Sequence, residues 1–228
     1  GHPVFYGNAA GLSLGEYTAL VCAGALDFPA AVALVQTRGE LMQAAVAEGS
    51  GAMAAILGLD DDQVVAACSR AGQGEVVSAV NFNSPGQVVI AGARTAVERA
   101  VNLATEAGAR RALMLNVSVP SHCALMRPAA DRLADALQAV EIRKPQVRIV
   151  NNVDVKLYSD PASIRDGLAR QLYSPVRWVE TVRYLVANGA DRLIECGPGK
   201  VLSGLVRRID KSITARFIES RESLADAL

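Results

Sequence analysis

Apolar residues Leu14, Tyr17, Leu20, Val21 and Ala25 recur at helical spacing, which predicts a helix over 14–26. Asp27-Phe28-Pro29 breaks it, and a second helix is expected over 30–46, with Val32, Val35, Leu41 and Ala45 on its apolar face. Glu48-Gly49-Ser50-Gly51 then reads as a small-residue hinge. Beyond the hinge the pattern shortens. Strands are predicted over 52–57, 76–82, 87–91 and 112–119, and helices from the Asp60-Asp61-Asp62 cap to about 71 and over 95–107. Asn83-Ser84-Pro85-Gly86 supplies the turn between the two middle strands. The order βαββαβ is that of a ferredoxin-like unit and predicts a small inserted domain at 46–126.

The rest alternates helix and strand. Helices are expected over 125–140, 162–173, 176–187 and 200–209, and strands over 147–153, 192–196 and 214–218. Such alternation predicts an α/β fold whose parallel sheet is covered on both faces, with residues 1–45 and 127–228 forming the large domain. Residues 3–10 read poorly as a core strand, because Gly7-Asn8 interrupts them.

Composition narrows the class. Hydrophobic residues make up 51% and charged residues 20%, which excludes a disordered chain. Lys plus Arg and Asp plus Glu are each 23, so the net charge of zero makes no case for nucleic acid or an anionic membrane as partner. The longest apolar candidate, 17–28, is too short to span a bilayer and contains Gly24 and Asp27. Cys22, Cys68, Cys123 and Cys196 stand far apart, as expected for reduced thiols in a cytoplasmic protein. The only histidines are His2 and His122, too few for a conventional zinc site. The chain begins Gly1-His2-Pro3 without Met, which leaves a processed product, a tag remnant and a fragment all open.

Gly11-Leu12-Ser13-Leu14-Gly15 fits G-x-S-x-G immediately before a helix. Flanking glycines allow a sharp turn that exposes the Ser13 hydroxyl, and the Leu14 N–H at the helix start suits an oxyanion. The alternative is a serine that merely caps the helix. A serine nucleophile needs a base, and His122, in Val119-Pro120-Ser121-His122, is the candidate because His2 lies at the terminus. The alternative at His122 is an ordinary surface or capping histidine; a Cys123–His122 dyad is disfavoured because adjacent side chains diverge. Arg38, between Val35 and Leu41, either reaches solvent, pairs with Glu40 or a neighbour, or binds a carboxylate. Cys196-Gly197-Pro198-Gly199-Lys200 is a tight strand-to-helix turn with possible anion affinity, but neither a P-loop nor a dinucleotide fingerprint. Lys200, Arg207, Arg208 and Lys211 form either a solvated face or a surface for an acidic partner.

Together these residues resemble the malonyl-CoA:acyl carrier protein transacylase family of bacterial type II fatty acid synthesis. The matching stretches are Ser13-Leu14-Gly15-Glu16-Tyr17, Asn81-Phe82-Asn83-Ser84-Pro85-Gly86-Gln87, Val119-Pro120-Ser121-His122-Cys123-Ala124-Leu125-Met126, Gln171-Leu172-Tyr173 with Pro175-Val176, and Gly197-Pro198-Gly199-Lys200-Val201-Leu202. The resemblance implies an α/β-hydrolase-like large domain with the ferredoxin-like insert. It implies Ser13 as acyl-carrying nucleophile, His122 as general base, and the Gln171 main-chain carbonyl as the group that orients the imidazole. Arg38 matches the arginine that pairs with the malonyl carboxylate, while Asn81 and Asn83 match the segment on the coenzyme A side. Malonyl-CoA and acyl carrier protein are the implied partners of a monomer. Coenzyme A enters as a thioester substrate, and no cofactor is permanently bound.

Two departures stand out. Leu12 occupies a place where the family usually has His. The family also has a Gly-Gln-Gly motif upstream that supplies a second oxyanion N–H; none precedes Gly11, so a truncated or altered amino terminus is expected. Two other functions stay open: a serine hydrolase or thioesterase, for which G-x-S-x-G is also typical, and a non-catalytic or inactive truncated form.

Overall fold

The structure is a computed structural model that describes residues 7–117 and 119–227. His2, the first half of the segment 3–10 and one residue of the expected strand 112–119 lie outside the described residues. In chain order the elements are β1 (Asn8–Ala10), α1 (Gly15–Cys22), α2 (Phe28–Ala44), β2 (Gly51–Leu57), α3 (Asp61–Gly72), β3 (Val77–Ser84), β4 (Gln87–Ala93), α4 (Arg94–Glu106), β5 (Arg111–Met114), α5 (Arg127–Gln138), β6 (Arg148–Val150), α6 (Pro161–Gln171), α7 (Trp178–Ala187), β7 (Arg192–Cys196), α8 (Val201–Ile209), β8 (Thr214–Ile218) and α9 (Arg221–Ala227). A short 3-10 turn (Ala124–Met126) precedes α5. This is a mixed α/β fold with parallel and antiparallel pairing. No helix among the described residues is long and apolar enough to cross a membrane.

Local chemistry sets the element ends. α1 stops before the apolar pattern does, because Gly24 adopts φ 71°. The Ala25 N–H then reaches the Leu20 carbonyl at 2.9 Å and the Gly24 N–H the Val21 carbonyl at 3.0 Å, which satisfies the helix-end acceptors. Pro29 does not delay α2 but sits in its first turn, where a missing N–H costs nothing. Asp60 caps α3 in a reciprocal box with Gln63. The α9 helix was not expected from the pattern.

Strands β3, β4, β2 and β5 form an antiparallel sheet in that order, and β3 and β4 meet at the Pro85-Gly86 turn, where Gly86 has φ 71°. Alternation divides this sheet cleanly. Ala52, Ala54, Ile56, Val88 and Ile90 face α3 and α4, burying Val64, Cys68, Val97 and Ala100. Met53, Val80, Val89 and Ala91 face the other way and pack on Cys123. The sheet thus grips the segment that carries His122. β5 ends earlier than predicted: the chain departs toward Pro120, whose ring fills the space beside Gly51, where a Cβ would lie 2.5 Å from it.

The expected parallel sheet is present, among the described residues, as two separate pairs, β1–β6 and β7–β8. Ala10 and Leu193 pack in shared apolar clusters, but no ladder joins the pairs. β6 is shorter than predicted because Asn151 Oδ1 accepts the Val153 and Asp154 N–H groups at 3.1 and 2.7 Å, turning the chain. The largest apolar cluster joins α1, α2, α5 and α6 through Leu20, Leu34, Leu133, Leu137, Leu168 and Leu172. Each such leucine contributes about 1.5–3 kcal/mol by leaving water.

Between β1 and α1 the chain turns so tightly that a Cβ on Gly11 would lie 1.9 Å from the Gly15 carbonyl carbon. A Cβ on Gly15 would meet nothing within 4 Å, so only the first of the two motif glycines is required by space. Gly11→Ala is expected to cost about 1–3 kcal/mol through overpacking, whereas Gly15→Ala is expected to stay within about 0.5 kcal/mol of the parent. Denaturant unfolding of both variants checks this pair; equal losses would contradict it.

Candidate active site

The turn after β1 presents Ser13 with φ 51°, a left-handed conformation that costs a non-glycine residue about 1–2 kcal/mol. Both backbone groups of Ser13 are clamped. Its N–H donates to Asn152 Oδ1 at 2.7 Å, and its carbonyl accepts from Gln171 Nε2 at 3.2 Å. The surrounding fold therefore over-determines the strained turn, as stored strain requires.

His122 meets Ser13 from 109 positions away, with Nε2 2.9 Å from Ser13 Oγ. His122 also has a positive φ, 66°, and is held by the end of α6. Its backbone N–H donates to the Leu172 carbonyl at 2.9 Å, and its ring Nδ1 lies 2.7 Å from the Gln171 carbonyl. A carbonyl only accepts, so Nδ1 carries the proton, Nε2 is bare, and the Ser13 hydroxyl donates to it. The Gln171 carbonyl is free for this because its i+4 residue is Pro175, which has no N–H. Burial holds the imidazole well below its ordinary 6.5, at about 4; the Gln171 hydrogen bond raises it and the nearby Arg38 charge lowers it.

Two of the three readings of Arg38, exposure to solvent and pairing with Glu40, do not hold. The residue is buried on α2, and Glu40 is engaged instead by Gln36 at 2.9 Å. Arg38 Nη2 donates to Ser13 Oγ at 3.0 Å and lies 3.4 Å from Gln171 Oε1, while its Nε has no partner among the described residues. No carboxylate of the described residues forms an ion pair with this buried guanidinium. Burial lowers its pKa, with Tyr17 and Glu16 acting in the opposite direction.

Below the elbow lies a polar cluster for which sequence reasoning assigned no role. Glu16 is 1% exposed and accepts from the Asn152 N–H at 3.1 Å, from Gln171 Nε2 at 3.0 Å and from the Tyr158 hydroxyl. Burial pushes its carboxyl up to about 7, against those hydrogen bonds and the Arg38 charge. Two signals pointed to it: Glu16 is the one carboxylate in α1, three residues after Ser13, and Asn151-Asn152 follows a short apolar strand.

The remaining candidates differ in how they stand to this group. Leu14 is the N-cap residue of α1, and its N–H has no partner among the described residues, beside the positive end of that helix. Leu12 packs against the cluster of Val176, Trp178 and Leu205 and makes no polar contact with the Ser13 group. Asn81 lies on β3 opposite Val176; neither Asn81 nor Asn83 hydrogen-bonds to Ser13, His122 or Arg38. Cys123 is buried and donates to the Pro120 carbonyl, not to His122.

The anion affinity expected of the glycine-rich turn is met from within the chain. Glu219 accepts the Gly199 N–H, and Glu195 accepts those of Leu202 and Ser203. Of the basic residues there, Lys200 lies over the Phe217 ring, Arg207 donates to the Ala215 carbonyl and Arg208 to Gln87.

Among known proteins, the chain is 58% identical over 219 residues to a malonyl CoA-acyl carrier protein transacylase of Escherichia coli (strain K12), an alignment covering 96% of this chain and 71% of that relative. An acyl carrier protein S-malonyltransferase structure from Vibrio cholerae superposes with a TM-score of 0.95 at 58% identity, covering 97% of this chain and 72% of that one. A malonyl-transacylase solved in complex with a type II PKS acyl-carrier protein superposes with a TM-score of 0.95 at 56% identity, covering 96% of this chain and 71% of the other. The acyl transferase domain family matches residues 6–221, and the chain belongs to it.

Proposed function

We propose that the chain is a malonyl-CoA:acyl carrier protein transacylase of fatty acid synthesis, in which Ser13 carries malonyl between two thiols. The observation that carries this reading is the buried Arg38 guanidinium 3.0 Å from Ser13 Oγ with no carboxylate partner among the described residues. A buried cation needs a counter-charge, and a substrate carboxylate supplies one. The short separation favours a diacid with a single methylene between its acyl carbon and its carboxylate.

The reaction is a double displacement. Ser13 Oγ attacks the thioester carbon of malonyl-CoA while His122 Nε2 takes the hydroxyl proton. The Leu14 N–H and the start of α1 hold the oxyanion. As the C–S bond breaks, the imidazolium protonates the departing coenzyme A sulfur, leaving malonyl-Ser13. The phosphopantetheine thiol of acyl carrier protein then attacks the ester, His122 takes the thiol proton, and that proton returns to Ser13 as malonyl departs on the carrier. The Gln171 carbonyl keeps Nδ1–H in place throughout and, lying at the end of α6, favours the transient imidazolium.

This reading divides the chain into an α/β-hydrolase-like large domain, 1–45 with 127–228, and a ferredoxin-like small domain, 46–126. Asn81 and Asn83 then lie on the coenzyme A side. The free cysteines fit a cytoplasmic setting.

Incubation with radiolabelled malonyl-CoA is expected to label Ser13, and the label is expected to persist until a pantetheine thiol is added. No label would overturn the reading, and rapid loss to water would favour a hydrolase. Arg38→Ala is expected to lower kcat/KM for malonyl-CoA by about 2–5 kcal/mol and to affect acetyl-CoA much less; equal losses would remove the carboxylate role.

A base must be neutral at working pH, and burial favours the neutral form of His122. The folded chain binds its proton only near pH 4, while the unfolded imidazole binds near 6.5. Stability is therefore expected to fall as pH drops through that window. NMR titration of the imidazole is expected to show its midpoint well below 6.5; an ordinary midpoint would contradict the burial argument.

A further inference from the structure

We propose that Glu16 is a positioning residue for acyl transfer: its carboxylate holds the Gln171 side-chain amide in one orientation and through it keeps His122 and Arg38 aimed at Ser13 Oγ. The inference rests on the transacylase reading for the identity of the acyl group, but not for the geometry.

A carboxamide has one donating end and one accepting end. Glu16 Oε2 takes the donating Nε2 of Gln171 at 3.0 Å, and Arg38 Nη2 faces the accepting Oε1 at 3.4 Å. Turning the amide over would put oxygen against carboxylate and NH2 against guanidinium, unfavourable at both ends. A buried anion and a buried cation that do not touch are thus joined through one neutral side chain. The same residue offers its main-chain carbonyl to His122 Nδ1 at 2.7 Å. Locking the Gln171 side chain therefore also locks the end of α6 against which the imidazole leans.

A second arm runs to the nucleophile. The Asn152 N–H donates to Glu16 at 3.1 Å, and Asn152 Oδ1 receives the Ser13 N–H at 2.7 Å. The third donor, Tyr158, reaches Glu16 because Gly167 on α6 leaves room; a Cβ there would lie 2.4 Å from the Tyr158 hydroxyl oxygen. Three donors converging on one carboxylate match the ionised form, which is acceptor-only. A buried carboxylate is costly unless so satisfied, and a purely structural role could be filled by an apolar residue at lower cost.

The titratable or charged groups acting on Glu16 are Tyr158, Tyr17 on its own helix and Arg38 on α2. Burial outweighs the donors and leaves the carboxyl near 7, so the competent form fills as pH rises through neutrality. His122 titrates far lower, so the two groups separate on a pH axis.

Glu16→Gln tests the charge while preserving the shape. Its oxygen can still accept from Asn152 and Gln171, and its NH2 can donate to the Tyr158 oxygen. Two rates are followed against pH in the full chain: labelling of Ser13 by a fluorophosphonate, and malonyl transfer to acyl carrier protein. The parent is expected to show an ascending limb near pH 7 in both. Glu16→Gln is expected to lose that limb and to lower the plateau rate about 10- to 100-fold, the worth of a hydrogen bond to a charged group.

Tyr158→Phe removes one donor and is expected to move the limb to higher pH, and it decides the matter if Glu16→Gln does not fold. Parent-like rates and profile in Glu16→Gln, or an unmoved limb in Tyr158→Phe, would overturn the proposal. A parent that transfers no malonyl yet shows these labelling profiles would sink the transacylase reading and leave the positioning role standing.

Discussion

Gln171 is the point on which the site depends. Its main-chain carbonyl fixes the His122 ring, its side-chain nitrogen reaches the Ser13 carbonyl and Glu16, and its side-chain oxygen faces Arg38. The carbonyl is available because Pro175 cannot donate the N–H that would otherwise continue the helix. A helix terminus thus does the orienting work that a carboxylate does in a Ser-His-Asp arrangement. A carbonyl at a helix end carries partial negative charge without the cost of burying a full one.

The two residues proposed to react, Ser13 at φ 51° and His122 at φ 66°, are both held in left-handed backbone conformations. Neither would persist in an isolated segment. Ser13 is clamped by Asn152 and Gln171, and His122 by Leu172, while its neighbour Cys123 is packed under the antiparallel sheet. Sheet, helix and elbow therefore share the load of keeping a hydroxyl and an imidazole 2.9 Å apart.

Electrostatically the site brings together groups that burial disfavours in charged form. The imidazole is held neutral, as a base must be before it takes a proton. Arg38 remains a cation, because guanidinium keeps its proton under nearly any condition. Glu16 offsets that charge from the far side of the Gln171 amide, leaving the near face of the guanidinium toward Ser13. Positive charge thus stays available beside the Ser13 hydroxyl.

Only the family resemblance selected among the readings of Arg38; by itself the sequence determined the local grammar: the βαββαβ order, the strands 192–196 and 214–218 to the residue, the G-x-S-x-G turn and the candidate pair of Ser13 and His122. These follow from period, turn chemistry and the scarcity of histidine, all properties of near neighbours or of composition. Tertiary structure alone decided that Arg38 is buried and apart from Glu40, that Gly11 rather than Gly15 is the glycine the turn requires, and that the parallel strands form two pairs among the described residues. It alone brought Glu16, Asn152 and Tyr158 beneath the elbow. That last outcome turns on contacts between residues more than a hundred positions apart, Glu16 with Tyr158 and Asn152. No periodicity records such contacts, because a carboxylate on a short helix looks the same in sequence whether the fold leaves it in water or closes over it.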